Sequence, residues 1–278
     1  MHVVAGMRRV FGRLALLFGV MLPALASAGD ATRPVPVVSI IIDDIGDRLR
    51  DGRRAVDLPW PVTVSFLPHT PFARTLAERA HARNKEVLIH LPMEAESGKA
   101  LGPGALTADM PREVFLATLR DNLASIPHVR GVNNHMGSLL TRRLQPMHWL
   151  MDALQERPGT FFVDSRTTRH SVALEAARQR GIAATTRDLF LDHYADADFI
   201  HHQFDLLMVK AREKGAMLAI GHPNALTLDI LEQRLPELAQ QGIRLLPVSR
   251  YIVTTNRRTE QWQASLSPSP RAVKNLKR

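Results

Sequence analysis

Short apolar runs alternate with longer amphipathic stretches along most of the chain. The runs read as buried strands: Val37–Ile42, Val62–Leu67, Glu86–Leu91, Val129–Asn133, Thr160–Val163, Ile182–Ala184, Ala216–Ile220 and Ile243–Pro247. Between them, Ala, Leu and Arg recur at helical spacing over Pro71–Arg83, Pro111–Ser125, Pro146–Glu156, Ser171–Arg180, Ala197–Lys214 and Leu226–Gln240. Thr107 to Asp109, ahead of Pro111-Arg112-Glu113, and Ser171, ahead of Leu174-Glu175, carry helix-start signals. Gly181, Gly215 and Gly242 each stand just after a helix and before a strand, where left-handed C-caps occur. This βα alternation predicts one α/β domain with a mainly parallel sheet, closed or nearly closed into a barrel. An open doubly wound sheet is the alternative.

The residues that end the apolar runs change the picture from fold to chemistry. The first run ends in Asp43 and Asp44, and three others end in His90, His135 and His222. In parallel sheets with helical crossovers, ligands collect at the carboxyl ends of strands, so these groups are expected to converge. Carboxylate and imidazole suit zinc and similar divalent ions, and the set reads as a metal-assisted hydrolase site. Pro92 after His90 turns the chain away and holds the histidine at the rim. Asn133 and Asn134 beside His135 suggest contacts to site residues or substrate, because buried amides are costly unless satisfied. Asp164 and Asp192 each follow an apolar run, where an Asp either orients a histidine or caps a helix. The other histidines read as surface groups, with His69 the one further rim candidate. The chain lacks a Gly-x-Ser-x-Gly elbow, a phosphate-binding glycine loop and a His-Glu-x-x-His helix.

Charge and the chain ends narrow the class. Arg8, Arg9 and Arg13 precede an apolar stretch from Leu14 to Ala26, and Ala26-Ser27-Ala28 is a small-x-small cleavage site. Residues 1–28 therefore read as a secretory signal, too short and proline-broken for a membrane span, with a mature chain starting at Gly29 in the periplasm. The formal charge of +9 is concentrated in that signal and in the tail from Val253, which holds Arg257, Arg258, Arg271, Lys274, Lys277 and Arg278 against Glu260. The body, 29–252, is left nearly neutral, without the basic face that nucleic-acid binding needs. The tail, 253–278, with Ser-Pro-Ser-Pro and no apolar periodicity, reads as disordered. With no cysteine in the sequence, any metal is held by nitrogen and oxygen.

The segments IIDDIG, VSFLPHTPFA, EVLIHLPME, GVNNHMGS, FFVDSRT, FLD and AIGHP, in that order from Val37 to about Val248, resemble the divergent polysaccharide deacetylase family (YibQ type) of the glycoside hydrolase/deacetylase superfamily. The resemblance implies a distorted (β/α)7-type barrel, a divalent metal, usually zinc, and a polysaccharide substrate that loses acyl groups, acetyl foremost. It further implies Asp43 as base, Asp44 and His90 as metal ligands, and His222 as general acid, oriented by Asp164 or Asp192. His135 is assigned as third ligand on its strand-end position, since the deacetylase His-x-x-x-His pair is absent. Relatives often read His-Pro-His where this chain has His222-Pro223-Asn224. A binding module that keeps the fold without catalysis is the alternative function. A glycosidase pairing Asp43 with Asp164 or Asp192 is a third.

Overall fold

The computed structural model describes residues 34–266 and His2, with side chains through 261. The segment read as a secretory signal lies outside the described residues, apart from His2, as does 267–278 of the tail. Nine strands alternate with eight helices: β1 Val37–Ile45, α1 Leu49–Asp57, β2 Thr63–Phe66, α2 Ala73–Ala82, β3 Val87–Met93, α3 Arg112–Ser125, β4 Val129–Met136, α4 Leu144–Gln155, β5 Phe161–Asp164, α5 Ala173–Gln179, β6 Ala184–Thr186, β7 Leu189–Phe190, α6 Ala197–Lys214, β8 Ala216–Gly221, α7 Ala225–Gln240, β9 Arg244–Leu245 and α8 Val248–Leu266. No described helix is long and apolar enough to cross a membrane.

All strand pairs are parallel, in the order β6-β5-β4-β3-β2-β1-β8-β7, with β9 paired to the start of β1. The two edge strands, β6 and β7, are separated only by Arg187 and Asp188. The Arg187 N–H donates to Asp164 O at 2.9 Å and the Asp188 N–H to Leu218 O at 2.8 Å. The chain itself thus crosses the seam, and β6 with β7 forms one bent stave of a distorted seven-stave barrel. Period-two alternation sorts the core. Val37, Ile41, Leu88, Phe161, Val163, Leu218 and Ile220 form the lumen cluster, while Val38, Ile40, Ile42, Ile89, Val132, Phe162 and Ala219 pack under the helices.

The lumen is plugged at its amino end by α8. Val248, Tyr251 and Ile252 join the lumen cluster, and Ser249 N–H donates to the Glu86 carboxylate at 3.1 Å. This corrects the reading of the whole tail as disordered, because α8 runs on to Leu266. Past Ile252 the helix is tied by polar contacts: Arg258 donates to Gly215 O at 2.8 Å and to Val35 O at 2.7 Å. Such anchoring leaves no apolar period in the sequence.

Gly181, Gly215 and Gly242 have φ of +66°, +83° and +69°, as their positions after helices imply. Of the two expected helix starts, Thr107 to Asp109 does not cap α3, whereas the Ser171 hydroxyl accepts the N–H of Ala173, the first residue of α5, at 3.2 Å. Asp196 and Asn224 cap α6 and α7, accepting from Phe199 and Thr227 N–H. The strand expected at 182–184 lies at 184–186, because Ile182 N–H closes the α5 terminus on Ala177 O at 2.9 Å.

Candidate active site

Strand parity delivers the polar groups to the carboxyl end of the lumen. Along β1 the inward positions are Val37, Ser39, Ile41 and then Asp43, which is 2% exposed. Register with β2 shifts between Ile42 and Ile45, and Asp44 sits in the left-handed region at φ +54°. Asp tolerates that region better than most residues, and the irregularity lets two successive carboxylates face the same site. Gly46 follows at φ +144°, where a Cβ would lie 1.9 Å from Thr70 Oγ1, so only glycine permits the turn. Parity likewise turns His90 inward from β3, Asn133 and His135 inward from β4, and His222 inward just past β8.

These groups converge. Asp44 Oδ1 lies 3.1 Å from His90 Nε2 and 2.9 Å from His135 Nδ1. One ligating atom from each of the three residues falls within 4.8 Å of the others. Asp44 Oδ1 is also a buried oxygen with no hydrogen bond of acceptable geometry. An orphaned carboxylate oxygen between two imidazole nitrogens is what a cation site offers, and the N, N, O donor set suits zinc. Burial would raise the Asp44 pKa, but the imidazoles of His135 and His90 outweigh it and hold the group far below the usual carboxylate range.

Asn133 organises the centre. Its amide nitrogen donates to both oxygens of Asp43, at 2.8 and 3.0 Å. Its carbonyl oxygen accepts from Ser65 Oγ at 2.6 Å and pairs with His90 Nδ1 at 3.0 Å. A carbonyl can only accept, so His90 Nδ1 carries a proton and Nε2 is the nitrogen that faces Asp44. Asp43 has its pKa raised by burial, against the charges of His90 and His222 and the Asn133 hydrogen bond. A carboxyl raised in this way is a stronger base when ionised.

His222 is gripped by Asp192. Oδ1 of Asp192 meets His222 Nδ1 at 2.9 Å, and Oδ2 accepts the His222 backbone N–H at 2.7 Å and Thr227 Oγ1 at 2.8 Å. Burial opposes charge on the imidazole, but Asp192 prevails and pushes the His222 pKa up to about 9. His222 Nε2 faces Asp44 Oδ2 at 3.8 Å. Asn224 caps α7 by accepting from Thr227 N–H at 2.9 Å.

Asp164 does not join the centre, which corrects its assignment as a catalytic or orienting residue. It shares parity with Phe162, on the helix side of β5, and accepts from the Arg166 N–H at 2.7 Å. Asp192 alone orients His222. His69 is not a rim ligand either: its Nε2 pairs with Asn122 Oδ1 at 3.0 Å and Asp121 Oδ2 at 3.3 Å. Sequence reading missed Arg187 and Phe190, which sit on the seam. The Arg187 guanidinium lies 3.6 Å from the Phe190 ring centroid, and that ring stacks on His222 at 5.9 Å. The two-residue β7 was too short to leave a periodic signal. The inward hydroxyl of Ser65 was legible in the Thr63-Val64-Ser65-Phe66 alternation.

Two cavities flank Asp44. One of about 290 Å³ meets Asp47, Arg48, Asp51, His222 and Asn224. The other, about 310 Å³, lies under the β2–α2 and β3–α3 loops beside His135.

Residues 40–252 match the family model described as divergent polysaccharide deacetylase. The chain is 36% identical over 228 residues to the uncharacterized protein YibQ of Escherichia coli K12, covering 82% of this chain and 70% of that one. It is 34% identical over 210 residues to an uncharacterized protein of Haemophilus influenzae, covering 76% and 72%. Among solved structures, an uncharacterized protein from Agrobacterium tumefaciens C58 superposes with a TM-score of 0.74 at 22% identity, covering 79% of this chain and 90% of that one. That likeness concerns the fold.

Proposed function

Because the chain belongs to the divergent polysaccharide deacetylase family, we propose that it is a metal-dependent hydrolase removing N- or O-linked acyl groups from an envelope or extracellular polysaccharide. The observation that carries the reading is the pairing of two differently tuned groups around Asp44. Asp43 is a buried carboxylate held by Asn133, and His222 is an imidazole held in its charged form by Asp192.

Asp44, His90 and His135 are the residues that would hold the divalent cation. When bound, such an ion supplies a Lewis acid for the acyl carbonyl oxygen and lowers the pKa of water toward about 7. Asp43 accepts the proton of the attacking water, and Asn133 fixes the direction of its oxygens. His222 donates from Nε2 to the departing nitrogen or oxygen of the sugar, while Asp192 holds Nδ1–H and fixes the tautomer. A glycosidase is disfavoured, since Asp192 is committed to His222 and Asp164 sits on the far side of β5.

Carboxylate release from a panel of acylated glycans, with zinc-loaded wild type and Asp43→Asn side by side, tests the reading. Release by wild type alone supports hydrolysis. Equal release by both, with glycan binding retained, would favour a non-catalytic binding module. We further propose export to the periplasm after cleavage behind Ala28. Fractionation with amino-terminal sequencing should find Gly29 first, and a cytoplasmic product starting at Met1 would contradict it.

A further inference from the structure

We propose that Tyr194, on the β7–α6 loop, is a stacking platform for a sugar ring of the polysaccharide, one that makes the protein favour long oligosaccharides over short ones. This rests on the reading of the centre as acting on a polysaccharide.

Tyr194 is 61% exposed, and among the described residues it is the only aromatic ring in the set of exposed large hydrophobic side chains. A single exposed aromatic needs no explanation by itself. This one is distinguished by where it stands and how it is held. It lies two residues past Asp192, the carboxylate that grips His222. Two residues span at most about 7 Å of chain, so one oligosaccharide can reach both His222 and Tyr194. In the sheet, β8 lies between β1 and β7. The β1–α1 loop, His222 and the β7–α6 loop therefore follow one another around the carboxyl rim.

His222 donates its proton to an atom of the sugar, so the glycan passes over His222. On one side it meets the cavity of about 290 Å³ between the β1–α1 loop and Asn224. On the other it meets the β7–α6 loop, where Tyr194 is the exposed ring. The C–H groups on one face of a pyranose carry partial positive charge and fit the negative face of an aromatic ring. The phenol hydroxyl adds a hydrogen-bonding group for the hydroxyls of the sugar. An aliphatic side chain would offer neither.

The ring is braced before any ligand arrives. It meets the His193 ring edge to face, with centroids 4.7 Å apart at 78°, and the Phe199 ring likewise at 5.0 Å and 83°. The loop is pinned at both ends. Asp192 accepts the His222 backbone N–H at 2.7 Å and Thr227 Oγ1 at 2.8 Å. Asp196 accepts the Phe199 N–H at 2.8 Å as the cap of α6. A tyrosine in a pinned loop loses little conformational freedom when a sugar settles on it. His193 and Phe199 hold the ring without burying it, so its apolar area is left for a partner.

The test uses zinc-loaded full-length protein with dimers and hexamers of N-acetylglucosamine and of O-acetylated xylose, and the variants Tyr194→Ala, Tyr194→Leu and Tyr194→Phe. In the series that turns over, kcat/KM for the hexamer should exceed that for the dimer about 10-fold, the upper end for a single aromatic contact. Tyr194→Ala and Tyr194→Leu should lose that gain through a raised KM for the hexamer at unchanged kcat, and Tyr194→Phe should keep most of it. Equal values for dimer and hexamer in wild type, or a gain that survives in Tyr194→Ala, overturns the platform while acetate release upholds the hydrolase reading. A gain lost together with a change of oligomeric state on size-exclusion chromatography also overturns it, and would make the ring a contact between copies of the chain. Release from neither series would instead end the hydrolase reading. The platform is then judged by calorimetry with the hexamers. Binding by wild type and Tyr194→Phe that Tyr194→Ala weakens about 10-fold supports it. Binding that is absent, or unchanged in Tyr194→Ala, rejects it.

Discussion

Asn133 spans the lumen to Asp43, placing its amide nitrogen 2.8 and 3.0 Å from the two carboxylate oxygens. Its carbonyl oxygen is engaged with His90 at the same time, so one β4 side chain couples the base to a metal ligand. Removing it should therefore disturb both. Asn133→Ala should weaken zinc binding about 10- to 100-fold, the usual effect of losing a partner behind a ligating histidine. Competition against a chromogenic chelator measures this, and unchanged affinity would show that His90 needs no such support.

Asp43→Asn separates binding from chemistry. The variant keeps a hydrogen-bonding side chain of the same size but cannot take a proton. Acyl release should fall on the order of 10²- to 10⁴-fold while zinc stoichiometry stays the same. Loss of zinc along with activity would place Asp43 among the ligands.

The His222–Asp192 pair should appear in the pH dependence of stability of metal-free protein. The folded pKa of His222, about 9, lies above its reference value of 6.5, so the imidazolium favours the fold. That contribution is complete below about pH 6.5 and is lost as pH rises through 9. Urea midpoints of wild type and His222→Gln should differ most at pH 6 and converge by pH 10. A gap that widens with pH would contradict the charged pair.

The lumen has no room for added volume at β4. A Cβ on Gly131 would lie 2.5 Å from the Phe161 ring, which is itself buried. Gly131→Ala should cost about 1–3 kcal/mol in denaturant unfolding. A neutral result would mean that the Phe161 ring can shift aside.

How much of this was legible in the sequence follows from what each signal depends on. His90, His135 and His222 could be placed because each ends an apolar run, and a strand end is a position in space. Asp44 could be suspected but its inward aim could not be derived, since simple alternation would turn it away from Asp43. Its φ of +54° restores the aim. Asp164 and Asp192 looked alike as sequence, and only strand parity with Phe162 separates them. The helix α1 was missed because its stretch is arginine-rich around Gly52. A Cβ there would lie 2.5 Å from Leu76, so the glycine serves close helix packing rather than a break. The continuation of α8 was missed because its anchors are guanidinium-to-carbonyl bonds, which carry no periodicity.

The metal centre is decided by a zinc titration of purified, chelator-stripped protein, comparing wild type with the His90→Ala/His135→Ala double variant by calorimetry. One zinc per chain in wild type and none bound by the variant is the expected result. Equal affinity and stoichiometry in the two proteins would show that Asp44, His90 and His135 are not the site.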